Sequence, residues 1–130
     1  MEQKILFPQE VEVWYVLPAI RRELAKSLVA QNLQQTKIAH FLGVTPAAIS
    51  QYKTDKRASD IKFDSLTLSL IKQSAKRITK QPESVFGEIL SINNHLKTSG
   101  QFCTIHKQLS TVPNNCHKSC SKLFLGSVAQ

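Results

Sequence analysis

The chain has 130 residues, which is enough for one domain of ordinary size and a small appendage. Apolar residues make up 42% of it and charged residues 20%, so a packed core is expected rather than a disordered chain. No stretch approaches the roughly 18 uncharged apolar residues that a membrane span needs. Residues 1–4 lack the basic flank of a secretory signal. These features predict a cytoplasmic protein without a membrane partner.

The charge balance is strongly basic. Seventeen Lys and Arg residues oppose nine Asp and Glu residues, for a net charge of +8. Such an excess favours a polyanionic partner, usually nucleic acid, although it also serves plain solubility. Residues 1–60 carry 8 basic and 6 acidic side chains, and residues 61–130 carry 9 and 3. The excess is therefore not concentrated in residues 35–54, where the most informative pattern lies.

The first predicted helix covers residues 8–31. Its apolar stripe recurs at spacings of three and four residues, the period of an amphipathic helix. The stripe consists of Val11, Trp14, Leu17, Ile20, Leu24 and Leu28. Pro18 interrupts it, and proline removes a helical hydrogen bond. We therefore expect a kink at Pro18 or two helices that meet there.

Residues 35–54 predict two short helices joined by a tight turn. The first, roughly Gln35–Leu42, ends before Gly43, because glycine tolerates the positive φ of a helix C-terminus. Thr45 is a suitable N-cap for a second helix over about 46–54, and Pro46 is a suitable first residue. The side chains expected to hold this pair against the core are Ile38, Ala39, Leu42, Val44, Ile49 and Tyr52.

The same pattern leaves short polar or small side chains facing outward. They are Thr45, Pro46, Ala47, Ser50, Gln51 and Thr54. Side chains of this kind at the start of a helix allow it to approach base edges in the major groove. With its small Ala39 and the sequence GVTPAAISQY at 43–52, the stretch resembles the helix-turn-helix of the lambda-repressor/Cro (XRE) family of transcriptional regulators.

This resemblance implies a lambda-repressor-like all-α bundle that binds double-stranded DNA. The DNA-contacting residues that it implies are Gln35, Thr36, Lys37, Thr45, Ala47, Ser50, Gln51, Lys53, Lys56 and Arg57. Those at 35–37 and 53–57 would contact phosphates, and those at 45–51 would face bases. Ala47 would meet a thymine methyl group, and Gln51 would read adenine through its amide. Simple solvation is the alternative for Ser50 and Gln51.

Two further helices are predicted after residue 62. The first runs from about 64 to 79, with Asp64 as its cap and a buried stripe of Phe63, Leu66, Leu70, Ala75 and Ile78. The second, a long helix, begins at 81–83, and its apolar positions are Val85, Ile89, Ile92 and Leu96, widened by Phe86, Leu90 and Asn93. Core packing explains most of them, but this spacing also suits a two-fold helix interface. Since regulators of this family generally bind paired half-sites, we expect a homodimer formed through this helix or the first one.

A short cysteine-rich tail ends the chain. An odd number of cysteines without a secretory signal argues against a disulfide framework. Cys103-x2-His106 and Cys116-x3-Cys120 together supply three thiolates and one imidazole, the donor set of a Zn²⁺ site or of an iron–sulfur cluster. His117 is the alternative fourth ligand. Apolar residues of the tail are expected to pack around this small module, and they are Phe102, Ile105, Leu109 and Val112.

The chain therefore divides into an N-terminal helical segment (1–17), a DNA-binding domain (18–80), a candidate dimerisation helix (81–98) and a metal-binding tail (99–130). The leading hypothesis is a sequence-specific transcriptional regulator whose metal or iron–sulfur centre senses redox state, iron or metal. A purely structural metal is one alternative. An antitoxin-like protein-interaction module with an autoregulatory helix-turn-helix is another. An enzyme with a small-molecule substrate is disfavoured, because Cys103 and His106 lack an accompanying acid or oxyanion donor.

Overall fold

A computed structural model describes residues 5–52, 54, 61–112 and 116. Within this part of the chain all regular structure is helical, as predicted for an all-α protein. The elements in chain order are α1 (Pro8–Val11), a π-helical turn (Glu12–Val16), α2 (Leu17–Ala30), α3 (Gln35–Leu42), α4 (Pro46–Tyr52), α5 (Ser65–Lys80), a 3₁₀ turn (Pro82–Ser84), α6 (Val85–Thr98) and α7 (Gln101–Leu109). Helix α2 is central, since it contacts α3, α4, α5 and α6. None of the described helices is both long and apolar enough to cross a membrane.

A widened turn accommodates Pro18. Proline lacks the N–H that the helix interior requires, and its ring crowds the carbonyl four residues earlier. Just before Pro18 the Leu17 N–H donates to the Glu12 carbonyl, five residues back, so the expected interruption takes the form of a π-helical turn. The extra residue changes the phase of the helix. Tyr15 is therefore buried, whereas Trp14, which we assigned to the apolar stripe, is 43% exposed.

Helices α3 and α4 and the turn between them follow the sequence closely. Helix α3 has the expected bounds, and α4 ends two residues before the predicted position. Gly43 ends α3 in the left-handed region, with φ of +68°. The Thr45 hydroxyl accepts from the Ala48 N–H at 3.1 Å and so caps α4. The inward side chains are buried, and they are Ile38, Ala39, Leu42, Ile49 and Tyr52.

The buried face of α5 differs from the predicted stripe. Asp64 caps the helix as expected, because its carboxylate accepts from the Thr67 N–H at 2.8 Å. Hydrogen bonds from Thr67 lower the pKa of that carboxyl. The buried residues of α5 are Thr67, Ile71, Ser74, Ala75 and Ile78. Leu66 is 59% exposed, so its assignment to the stripe is wrong. Polar Thr67 and Ser74 lie on the buried face, and a pattern of apolar residues cannot identify them as buried.

A carboxylate between α5 and α6 explains why Ser74 is buried. The Ser74 hydroxyl donates to Glu88 Oε1 at 2.7 Å. Arg77 donates to the same carboxylate twice, from Nε at 2.8 Å and from Nη2 at 3.0 Å. The pKa of Glu88 is lowered by these bonds, with that from Arg77 the largest cause. The two helices are thus joined by a bidentate ion pair.

Helix α6 buries a narrower face than expected. Ile92, Asn93 and Leu96 are buried, and the Asn93 amide donates to Glu12 in the π-helical turn. Phe86 and Leu90, which we expected to widen the apolar stripe, are 80% and 66% exposed, so core packing does not explain these two residues. These two side chains therefore form an exposed apolar patch on the first half of α6.

Helix α7 occupies part of the predicted metal-binding tail. Gly100, with φ of +87°, separates it from α6. Phe102 is 1% exposed, and Ile105 is also buried in the main core, against which Leu109 packs. These residues therefore do not surround a separate module, and that expectation is wrong. Their spacing of three and four residues is that of an amphipathic helix docked on the domain.

Candidate nucleic-acid interface

One surface of α3 and α4 presents the predicted DNA-contacting side chains that the structure describes. They are Gln35, Thr36, Lys37, Thr45, Ala47, Ser50 and Gln51, and each is exposed. We call this surface the α3–α4 outer face. Buried side chains on the opposite side of both helices hold the face in position. The remaining predicted contacts, Lys53, Lys56 and Arg57, lie outside the described residues.

Gln35 and Ser50 connect the two helices of this face. The Gln35 amide donates to the Ser50 hydroxyl at 2.8 Å and is 3.5 Å from the Pro46 carbonyl. Both side chains are exposed, so the bond fixes their geometry without removing them from solvent. Thr45 is likewise engaged, since its oxygen caps α4. Each hydroxyl retains its proton for donation to a further acceptor.

The electrostatics of this region suit an anionic ligand. No Asp or Glu occurs between Glu23 and Asp55, a stretch that contains both helices and the turn. Lys37 extends over the Phe41 ring with its ammonium 5.8 Å from the ring centroid. The start of α4 adds a positive dipole end to the same surface, although Pro46 has no N–H and the Ala48 N–H already donates to Thr45. Residues 24–54 thus contribute no carboxylate of their own to the outer face, where one would repel a phosphate.

The candidate metal ligands lie in different surroundings. Cys103 is buried on the inner side of α7, Cys116 is half-buried, and Cys120 lies outside the described residues. His106 is half-buried, and its Nε2 is 2.7 Å from the Leu6 carbonyl oxygen. Among the residues that the structure describes, no three His, Cys, Asp or Glu side chains form a group that could hold a metal ion. The described donors alone therefore do not fit a closed site.

His106 belongs to a polar clasp between α7 and the segment before α1. The Leu6 N–H donates to the Ser110 hydroxyl at 2.8 Å, and the Leu6 carbonyl meets both Ser110 and His106. Since a carbonyl oxygen only accepts, the His106 Nε2 must carry the donated proton. In a neutral imidazole Nδ1 would then hold the lone pair, which is the arrangement of a histidine that ligates a metal through Nδ1.

The structure also shows an apolar groove between α2, α3 and α6 that the sequence analysis missed. Its volume is about 620 Å³, and its apolar lining includes Leu17, Phe41, Val85, Phe86, Ile89 and Leu90. Arg21 and Glu83 also line it, and neither forms an ion pair with a described residue. The sequence did contain a sign of this groove. Phe86 and Leu90 are four residues apart, so they lie on one side of a helix and could have been assigned to an apolar surface of the protein.

Comparison with protein-family models, with curated proteins and with solved structures finds no match for this chain. The functional interpretation therefore depends on the residues themselves.

Proposed function

We propose that this protein is a sequence-specific DNA-binding transcriptional regulator of lambda-repressor-like architecture, which reads the major groove with α4. The observation that carries this proposal is the α3–α4 outer face. It presents six exposed side chains on two helices whose opposite sides are buried, and the exposed Thr45 in the turn between them. A capped helix that carries the small Ala47 near its start and the Gln51 amide on the outer face suits base contacts. Gln35 and Lys37 would then contact the sugar–phosphate backbone.

Selection of bound duplexes from a random-sequence pool tests this proposal. A regulator of this kind should enrich a short, defined sequence. Gln51→Ala should weaken binding to that sequence by about 1–3 kcal/mol and leave binding to unrelated duplexes unchanged. Gln108→Ala, which removes an exposed glutamine from α7, is the matched control. A pool that enriches no sequence would contradict the proposal.

We propose that the functional form is a homodimer in which the apolar groove receives a second copy of the chain. Phe86 is 80% exposed at the edge of the groove, where a two-fold axis would bring it to the partner's groove. Arg21 and Glu83 line the same groove without ion pairs among the described residues, so each could meet the opposite charge of the partner. Two copies related by a two-fold axis would thus bring opposite charges together at this groove.

Sedimentation equilibrium tests the dimer. Phe86→Ser should shift the protein to monomers, whereas Phe7→Ser, a matched change at a phenylalanine that is 68% exposed elsewhere, should not. Equal effects of both variants would show that the groove is not part of the dimer interface. If a stoichiometric second protein occupies the groove instead, the antitoxin-like interaction module becomes the better description of the chain.

A sensory metal or iron–sulfur centre at Cys103, His106, Cys116 and Cys120 is a separate proposal. It is supported by the donor set and by the His106 Nδ1 lone pair, which Leu6 orients. A metal there would supply a bond between α7 and the residues that follow it. Metal analysis and a visible spectrum of anaerobically purified protein distinguish iron–sulfur, zinc and no metal. A metal-free protein with normal DNA affinity would remove the centre from the function.

A further inference from the structure

A second basic surface lies between α2 and α5, apart from the α3–α4 outer face. Arg22, Lys26 and Lys62 line one shallow depression there. Lys26, Lys72 and Lys76 line a neighbouring depression, so Lys26 joins the two. We call these five residues the α2–α5 basic surface. It lies beside the back of α4, because Arg22 and Lys26 also line a depression with Ile49 and Tyr52.

The charges of this surface are largely uncompensated. Within the part of the chain that the structure describes, Glu23 is the one carboxylate that lines the two depressions. Its Oε2 lies 3.3 Å from the Lys26 ammonium and 3.8 Å from Arg22 Nη1. No described carboxylate lies within 4 Å of the ammonium groups of Lys62, Lys72 or Lys76. Among the residues that the structure describes, five cations thus face one anion.

Folding alone does not account for this arrangement. Arg22 and Lys26 are four residues apart on α2, and Lys72 and Lys76 are four residues apart on α5. Like charges at this spacing repel and destabilise a helix. Both lysines of α5 are exposed, so they contribute little to the core. The repulsion would be relieved by a polyanion bound across the two helices.

We propose that the α2–α5 basic surface binds the phosphates of double-stranded DNA outside the segment read by α4. This inference rests on the proposed function, and it extends the length of DNA that the protein would contact. Lysine ammonium groups suit phosphates as flexible point charges. Protein interfaces are depleted of lysine and enriched in exposed aromatic residues, and single-stranded nucleic acid requires aromatic stacking. The aromatic residues that line these depressions, Phe63 and Tyr52, are buried. A duplex backbone therefore fits better than either alternative.

The salt dependence of duplex binding tests this inference. The probe is a fluorescent duplex of about 30 bp and mixed sequence, three helical turns long. For each phosphate contact removed, the slope of log affinity against log salt should lose about 0.9 in magnitude. We expect that loss for Lys72→Gln and for Lys76→Gln, and about twice as much for the double variant. Lys107→Gln, which removes one exposed charge from α7, is the matched control and should leave the slope nearly unchanged.

Thermal melting separates binding from folding. Because Lys72 and Lys76 repel one another, the double variant should melt at or above the temperature of the wild type. A wild-type protein that binds duplex while the double variant keeps its slope overturns this inference alone. So does an equal loss for Lys107→Gln, or equal binding of single-stranded DNA of the same length. A wild-type protein that binds no duplex at all overturns the proposed function as well.

Discussion

The α3–α4 outer face and helix α7 carry two sets of chemically distinctive side chains, and the fold treats them in opposite ways. On the outer face, side chains such as Lys37 and Gln51 extend into solvent from helices that are fixed from behind. On α7, Cys103 is buried and His106 holds the Leu6 carbonyl. Reactive residue types are therefore weak guides to function until their exposure is known. On α7, two candidate ligands also hold the fold together.

The largest test of this contrast is a truncation in the core. Phe102→Ala should lower the free energy of unfolding by about 3–5 kcal/mol, because the ring is 1% exposed in the main core. Gln51→Ala on the outer face should change it by less than about 0.5 kcal/mol. Urea denaturation measures both. A Phe102→Ala protein as stable as the wild type would show that α7 is not part of the folded domain.

The clasp gives the next largest effect. His106→Ala removes a donor to the carbonyl of the buried residue Leu6 and should lower stability by about 1–3 kcal/mol. Lys107→Ala alters the neighbouring, exposed residue and should be nearly neutral. If the histidine acted only as a metal ligand, metal-free protein would melt at the same temperature with and without it.

Two glycine substitutions compare the backbone of the turn after α3 with the backbone inside α6. Apart from the neighbouring backbone, no described atom lies within 4 Å of the place that a Cβ would occupy at Gly43 or Gly87. Gly43 has a positive φ, so Gly43→Ala should cost about 1–2 kcal/mol through strain alone. Gly87 lies inside α6, and Gly87→Ala should stabilise the protein by about 0.5–1 kcal/mol. Shifts of the same sign in thermal melts would contradict this account of the turn.

An effect of similar size to that of Gly87, but dependent on pH, concerns Glu88, whose carboxylate lies between α5 and α6. Its folded-state pKa is depressed, chiefly by Arg77, so its stabilising effect is full above the unfolded value of about 4.3 and disappears as pH falls through the folded value. Glu88→Gln should be less stable than the wild type by about 1 kcal/mol at pH 7. The difference should close below about pH 4. Denaturant titrations between these values measure it, and a constant difference would assign the effect to packing.

Local signals explain how much of this molecule the sequence could predict. The bounds of α3 and the start of α4 follow from Gly43, Thr45 and Pro46, whose effects act within a few residues. The exposure of the outer face follows from the helical period of three to four residues at which the apolar side chains of α3 and α4 recur. The phase of α5 does not, because the polar Thr67 and Ser74 are buried there and Leu66 is not. Burial of Ser74 depends on Glu88, a partner 14 residues away.

Helix α7 shows a second limit. Cys103 and His106 are three residues apart, a spacing that suits two metal ligands and also two neighbours on one face of a helix. The sequence does not distinguish these uses. The deciding contacts come from Leu6 and the main core, far away in the chain.

The clasp also limits the order in which parts of the protein can fold during synthesis. The Leu6 N–H and the Ser110 hydroxyl are 104 positions apart in the chain. A ribosome therefore releases the first partner long before the second, and α2, α3 and α4 emerge in between. Since such distant contacts carry the largest loop-closure entropy, the turn-linked helices can assemble first. The segment around Leu6 therefore cannot form its hydrogen bonds with His106 and Ser110 until α7 has left the ribosomal exit tunnel.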